Sequence, residues 1–254
     1  CLVFPSRRSL SYFKKYLAEA IRSNGSSPVM APRLVTIGDF FAACSPRQKT
    51  SDRITLLVRL YRSYCRFNPS AEPLDEFIFW GDVILGDFSD VDKYLADPHQ
   101  VFSNVSDFKD LQDDLSHLTP QQKAQVARLT RFMDNFKEKP GAGSAKEKFL
   151  RLWNVLELIY NDFRDSLVAE GLCYDGMIYR NLAERLSSGE QSISEIMAES
   201  FPGIGKFVFV GLNVLNPCEH LVLSKMQNAH IAEFCWDFAG DMIQNKDNKS
   251  SKFL

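Results

Sequence analysis

Four consecutive residues, Phe207–Val210 (FVFV), are β-branched or aromatic with no polar member among them. Such a run reads as a strand buried on both faces, which is the condition of a parallel sheet. Residues 211–215 form a turn. Asn216, Pro217 and Glu219 then spell a helix start: an N-cap amide, a proline in the first helical position and an acid placed to reach back to the cap. A second strand pattern, AEFCW, follows at 232–236. Parallel strands need a crossover between them, so strand, loop, helix and strand read as a βαβ unit. In open α/β sheets ligands gather at the carboxyl ends of the strands. Residues 211–215 are therefore the first place to look for chemistry, and Asn213 is their only polar side chain.

The amino-terminal end has the same alternation. Residues 2–4 (LVF) form a short apolar strand, and Pro5-Ser6-Arg7-Arg8-Ser9 makes the turn after it. A helix follows to about residue 22, with Phe13, Tyr16, Leu17, Ala20 and Ile21 on one face. A loop rich in Ser, Gly and Pro over 23–32 leads to a second strand at 33–37 and a short helix at 38–44. Between 44 and 206 the pattern is helical throughout, without a readable strand. Residues 51–67 carry Ile54, Leu57, Val58, Tyr61, Tyr64 and Cys65 on one stripe. Residues 74–88 carry Leu74, Phe77, Ile78, Leu85 and Phe88, and 119–136 opens on a capped Thr-Pro. A break at 140–144 precedes a long helix at 149–168 with Leu152, Trp153, Leu156, Ile159, Tyr160 and Phe163 inward. Shorter helices follow at 174–186 and 193–199. Strand-like runs at both ends and helices between predict a discontinuous α/β domain of residues 1–48 and 205–254. Residues 49–204 are expected to be an all-helical insertion.

Charge and cysteine usage narrow the function classes. The net charge is −2, so no global basic field recruits nucleic acid, and such a contact must come from a local patch. No apolar run approaches the ~18 residues of a membrane span. Cys1, Cys44, Cys65, Cys173, Cys218 and Cys235 show no CxxC spacing and lie within apolar patterns. They are expected to be buried thiols of a cytoplasmic protein. Nine aspartates fall between Asp82 and Asp114, in no calcium-loop spacing, and read as a solvated face. His99, His117, His220 and His230 are scattered, without an HExxH pair. No metal or cofactor is expected.

Three stretches together carry a resemblance. FPSRRSLSYFKKYLAE followed by TIGDFF, then WGDVILGDFSDVDKYLAD, then GLCYDGMIYRNLAERL leading to FVFVGLNVLNPCEHLVL, occur in order and cover essentially the whole chain. They resemble the amino-terminal helicase-like region of the AddB-like, Bacteroidetes-type PD-(D/E)XK nuclease family, relatives of helicase–nuclease complexes that process DNA double-strand breaks. The resemblance implies a RecA-like (P-loop NTPase-like) sheet domain with a helical insertion, and an exonuclease domain far downstream. It also implies weak contact with single-stranded or unwinding DNA, and a helicase–nuclease partner subunit. Pro5-Ser6-Arg7-Arg8 resembles helicase motif Ia, which touches single-stranded DNA. Ser6, Arg7, Arg8 and Asn213 are the candidate DNA-contacting residues. Tyr174-Asp175 resembles a helicase segment before motif II, and its residues read as a helix start.

The motor chemistry itself is missing from the pattern. A phosphate loop needs GxxxxGK[ST], in which backbone N–H groups cradle the phosphates, Lys reaches the terminal ones and Ser/Thr holds Mg²⁺. The nearest string, GAGSAK at 141–146, lacks the Gly-Lys-Ser/Thr end and is expected to be a solvated loop. Where related sequences place an acid at the end of the strand, this chain has Val210-Gly211-Leu212. Valine neither binds Mg²⁺ nor polarises water. Two other classes stay open: a helical protein-interaction module, and an active motor whose phosphate loop lies upstream of Cys1. This chain is expected neither to bind ATP tightly nor to hydrolyse it. DNA-stimulated phosphate release that is abolished by mutating a residue of this chain would overturn that expectation.

Overall fold

The computed structural model describes residues 1–25, 30–46, 48–69, 71–102 and 142–236, the side chains of 142–154 excepted. The expected helix at 119–136, the acids at 107–114, His117 and the residues after 236 lie outside these. The chain divides into two compact units. One holds residues 1–50, 92–95 and 171 onward, and the other holds 51–91 and 96–170.

The first unit is α/β. Strands β1 (Leu2–Phe4), β2 (Leu34–Thr36), β5 (Phe207–Val210) and β6 (Ala232–Cys235) form one parallel sheet in the order β2-β1-β5-β6. The two ends of the chain thus share a sheet, with Val3 in register with both Val35 and Phe209. Helix α1 (Arg7–Ser23) connects β1 to β2, and α8 (Pro217–Asn228) connects β5 to β6. Helix α2 (Ile37–Ala43) starts at Thr36, whose side chain forms a capping box with Asp39. It delivers Phe40 and Phe41, both fully buried. Phe40 meets Phe207 and Phe209 of β5 edge-on at 5.8 and 5.6 Å and stacks on Phe201 at 5.4 Å. Phe209 stacks on its register partner Phe234 at 5.4 Å. Tilted aromatic contacts of this kind contribute roughly 0.5–1.5 kcal/mol each beyond the area they bury. Phe4, which alternates away from Val3, meets Phe13 of α1 at 5.1 Å.

Residues 49–204 are not all helical, and they are not all one insertion. Lys49–Thr50 (β3) and Leu172–Cys173 (β4) pair in parallel as a second, two-stranded sheet. Two residues are too few to show a periodicity, so neither strand is readable in the sequence. Helices α6 (Asp175–Ser188) and α7 (Ile193–Ser200) belong to the α/β unit. Met177, Leu182 and Ala183 of α6 are fully buried, and Tyr179 stacks flat on Phe41 with ring centroids 3.9 Å apart. A helix buried this fully must pack on the sheet's own helices, so the division falls at 171 instead of 205.

The second unit contains α3 (Arg53–Phe67), most of α4 (Leu74–Lys93) and α5 (Ala142–Ala169). Residues 142–146, expected in a loop, are the first of α5. The buried side of α3 is Leu56, Leu57, Leu60, Ser63 and Tyr64, rotated from the expected stripe, so that Ile54 and Cys65 are exposed. Tyr64 turns the helix this way. It packs on Phe77 at 5.0 Å and Trp80 at 4.9 Å, and its hydroxyl donates to Glu72 at 2.5 Å. The Phe77 ring lies over Gly81, where a Cβ would stand 2.4 Å from a ring carbon. On α4, Phe77, Leu85 and Phe88 are buried as expected, but Ile78 is 43% exposed. On α5, Leu156, Ile159, Tyr160 and Phe163 are buried as expected. Arg59 of α3 clasps Glu170 with both guanidinium nitrogens at 2.5 Å. No helix of the described residues is long and apolar enough to cross a membrane.

The reading of the aspartates as a solvated face fails at Asp92, which is fully buried. Arg180 Nε lies 2.7 Å from Asp92 Oδ1, a pairing of charges more than an aligned hydrogen bond. Tyr174 donates its hydroxyl to Asp92 Oδ2 at 2.5 Å, and the Cys218 thiol donates to the Asp92 carbonyl at 3.5 Å. A buried pair offsets its own desolvation only while both members are present. Asp92→Ala should therefore destabilise the protein by about 3–5 kcal/mol in urea denaturation. Tyr174→Phe should cost less, about 1.5–3 kcal/mol. Asp92→Ala combined with Arg180→Met should recover part of the loss. A single Asp92 variant as stable as wild type would remove the pair from any structural role.

Candidate strand-end site

The strand order β2-β1-β5-β6 reverses direction between β1 and β5. From β1 the chain steps outward to β2, and from β5 it steps the other way to β6. In open parallel sheets the crevice outside the carboxyl ends at such a reversal is where ligands bind. Adjacent strands lie only ~4.8 Å apart, so the loops leaving β1 and β5 emerge side by side. One is Pro5-Ser6, with α1 already beginning at Arg7 inside the turn expected over residues 5–9, and the other begins Gly211-Leu212-Asn213.

Local chemistry fixes both loops. Ser6 is the N-cap of α1, its hydroxyl oxygen accepting from Ser9 N at 3.2 Å. Arg7 and Arg8 are the first two helical residues, and both are exposed. Neither makes an ion pair among the described residues. Free N–H groups and the positive end of the helix add to these two cations. On the other strand Gly211 has φ +68°, a conformation that favours glycine, and its N–H donates to the Cys235 carbonyl at 3.0 Å. This turn leaves Asn213 exposed. Its side chain makes no hydrogen bond among the described residues, so local turn support, the plain reading of an asparagine here, is not what it does. The two sets of candidate residues thus occupy neighbouring strand ends, and both are open to solvent.

Next to the β5 loop, α8 begins with the expected capping box. Asn216 Oδ1 accepts from Glu219 N at 2.9 Å, and Glu219 Oε2 accepts from Asn216 N at 3.0 Å. Burial raises the Glu219 carboxyl above the usual range, and Lys93 and the cap bonds pull it back. Lys93 Nζ also sits over the Tyr179 ring at 5.2 Å. Asp92, Lys93, Arg180 and Tyr174 were invisible as a group in the sequence, because they join residues 82 positions apart. The only local signal is a Tyr-Asp-Gly at a helix start, and Tyr174 makes no side-chain cap bond there. Among the described residues no group of three His, Cys, Asp or Glu is arranged to hold a metal ion.

A separate cleft of about 710 Å³ on the same unit is lined by Ser45, Gln48, Asn181, Arg185, Gln191 and Glu199, with four other residues. None of Ser6, Arg7, Arg8 or Asn213 lines it. Arg185 is committed there to the Cys44 carbonyl and Gln191 Oε1.

No family model, curated protein or solved structure matches the chain.

The cysteines are not the one buried set expected. Cys44, Cys173 and Cys218 are buried, Cys1 is partly exposed, and Cys65 and Cys235 are exposed. Cys235 alternates outward on β6, the last strand of the sheet, and Cys65 lies off the rotated stripe of α3. Burial pushes the thiols of Cys44 and Cys218 up to about 12. Thiolate is the reactive form. At pH 8 a disulfide reagent should therefore titrate Cys65 and Cys235 first and leave Cys44 and Cys218 unreacted until denaturant is added. Rapid native labelling of Cys44 or Cys218, read by mass spectrometry, would contradict the packing around them.

Proposed function

We propose that this chain is a helicase-like, RecA-type region without ATPase activity, belonging to an AddB-type DNA-processing exonuclease. It serves as scaffold and as a contact surface for single-stranded DNA. The observation that carries this reading is the placement of Arg7 and Arg8. Two exposed guanidinium groups stand at a capped helix start, at the carboxyl end of β1 and beside β5, where the strand order reverses. Arginine forks and free helix N–H groups suit phosphate oxygens. Asn213 adds an exposed amide, without a hydrogen bond among the described residues, on the neighbouring strand end. The parallel sheet with chain-terminal strands supports the resemblance to the AddB-like family. Val210, at the end of β5 where a motor needs its Mg²⁺-binding acid, supports a loss of catalysis. DNA repair, the downstream nuclease, the partner subunit and a cytoplasmic setting follow from the family resemblance alone.

A second reading, a protein-interaction module, draws on one observation in the helical unit. Phe79 and Val83, one turn apart on α4, are 82% and 60% exposed. Exposed apolar groups that cluster mark interaction surfaces.

The two readings separate on one experiment. Arg7 and Arg8 account for at most two phosphate contacts, so single-strand binding should be weak and indifferent to sequence. Arg7→Ala with Arg8→Ala should reduce the slope of log affinity against log salt by about 1–2. Stability should stay within roughly 0.5 kcal/mol. Equal affinity and equal slope, measured by fluorescence anisotropy at several salt concentrations, would leave these arginines as surface charge. The interaction module would then be the better reading.

A further inference from the structure

Helix α1 departs from its expected packing in a way that points to a ligand. Tyr16 and Ala20 were expected inward with Phe13, Leu17 and Ile21. Instead Tyr16 is 61% exposed, Tyr12 is 56% exposed, and no residue of the helix is fully buried. Residues spaced by three or four share a helix face. Arg8, Tyr12, Lys15, Tyr16, Glu19 and Arg22 fall on one such face by this spacing, and all six are exposed. The two tyrosine rings lie nearly parallel, at 22° with centroids 6.5 Å apart. The helix carries five basic residues and a single acid, Glu19, in a chain whose net charge is −2. Lys15 and Glu19 approach only to 4.0 Å and are well solvated, so the basic excess stands.

We propose that this face of α1 is a track for single-stranded nucleic acid, with Tyr12 and Tyr16 stacking on bases and Arg8, Lys15 and Arg22 meeting phosphates. It rests on the DNA-contact reading above and extends the path from the strand-end loops onto the helix. The chemistry selects this occupant. The face has two aromatic rings, three cations and one acid, Glu19, and its only exposed aliphatic neighbour is the small Ala20, so it offers little to an apolar protein partner. Sequence-tolerant single-strand binders combine these two elements, a basic path along the backbone and aromatic rings under the bases. A duplex hides its base faces within the stack and leaves the tyrosines without a partner. The rise from Tyr12 to Tyr16 is about 6 Å along the helix, so the two rings serve successive positions on a strand and not one.

The test separates stacking from charge. A labelled oligothymidylate and an abasic oligomer with the same number of phosphates are titrated with the full chain by fluorescence anisotropy. Wild type should prefer the thymidylate. Tyr12→Ala with Tyr16→Ala should weaken thymidylate binding at least about fivefold, the lower end for one stacked base. It should leave abasic binding and the salt slope unchanged. Tyr12→Phe with Tyr16→Phe should bind as wild type, because the ring face and not the hydroxyl makes the contact. Thymidylate binding unchanged in the alanine variant overturns the track and leaves the Arg7 and Arg8 reading standing. An equal loss on both oligomers also overturns it, as does competition by poly-glutamate as effective as that by thymidylate. No binding of either oligomer by wild type overturns both proposals.

Discussion

A buried carboxylate cannot stand alone, and Asp92 is the point at which the α/β unit meets that constraint. The unit draws its residues from three separate stretches of chain, and the shortest is only 92–95. Four residues bury too little apolar surface to hold themselves in place. Asp92 supplies what they lack, because its charge needs Arg180 and Tyr174, both on or at the start of α6. Arg180 in turn needs Asp92, its side chain being only 11% exposed. Once α6 is held here, Tyr179 can stack on Phe41, whose neighbour Phe40 lies against β5. The ionic contact and the aromatic layer therefore support each other.

The same arrangement explains why the strand ends stay free. The buried charges are satisfied among themselves around α6 and the start of α8. Glu219 is occupied by its cap, and Lys93 lies over Tyr179. Among the described residues, those left without a side-chain partner beside the sheet's reversal point include Arg7, Arg8 and Asn213. Two cations and an amide are suited to holding a polyanion, and on this ground binding is the function proposed.

Much of the α/β unit was legible in the sequence, because it is written in local chemistry. The FVFV run has no polar member and so demands burial on both faces. The Asn-Pro-x-Glu start of α8 is contained within four residues. Ser6 and Asn213 lie between a strand and a capped helix, whereas Arg7 and Arg8, expected in the turn, are the first residues of α1. The stripes of α1 and α3 were legible only in part. Periodicity marks an apolar face but not which edge of it finds a partner. Tyr64 drew α3 toward Phe77 and Trp80, and Tyr16 on α1 stayed exposed.

The sequence by itself determined the parallel strands of the sheet, the capped start of α8 and the lack of a GxxxxGK[ST] string. Each depends on residues that touch through the backbone within a turn or a strand. Only the tertiary structure decided that α6 and α7 belong to the sheet's unit, that Asp92 is buried and that two tyrosines of α1 face solvent. Those outcomes depend on partners tens of residues away, such as Asp92 with Tyr174 and Phe41 with Tyr179. A period of 3.6 residues cannot encode a partner at that distance, because burial of a charge or a ring is set by what the remainder of the chain brings beside it.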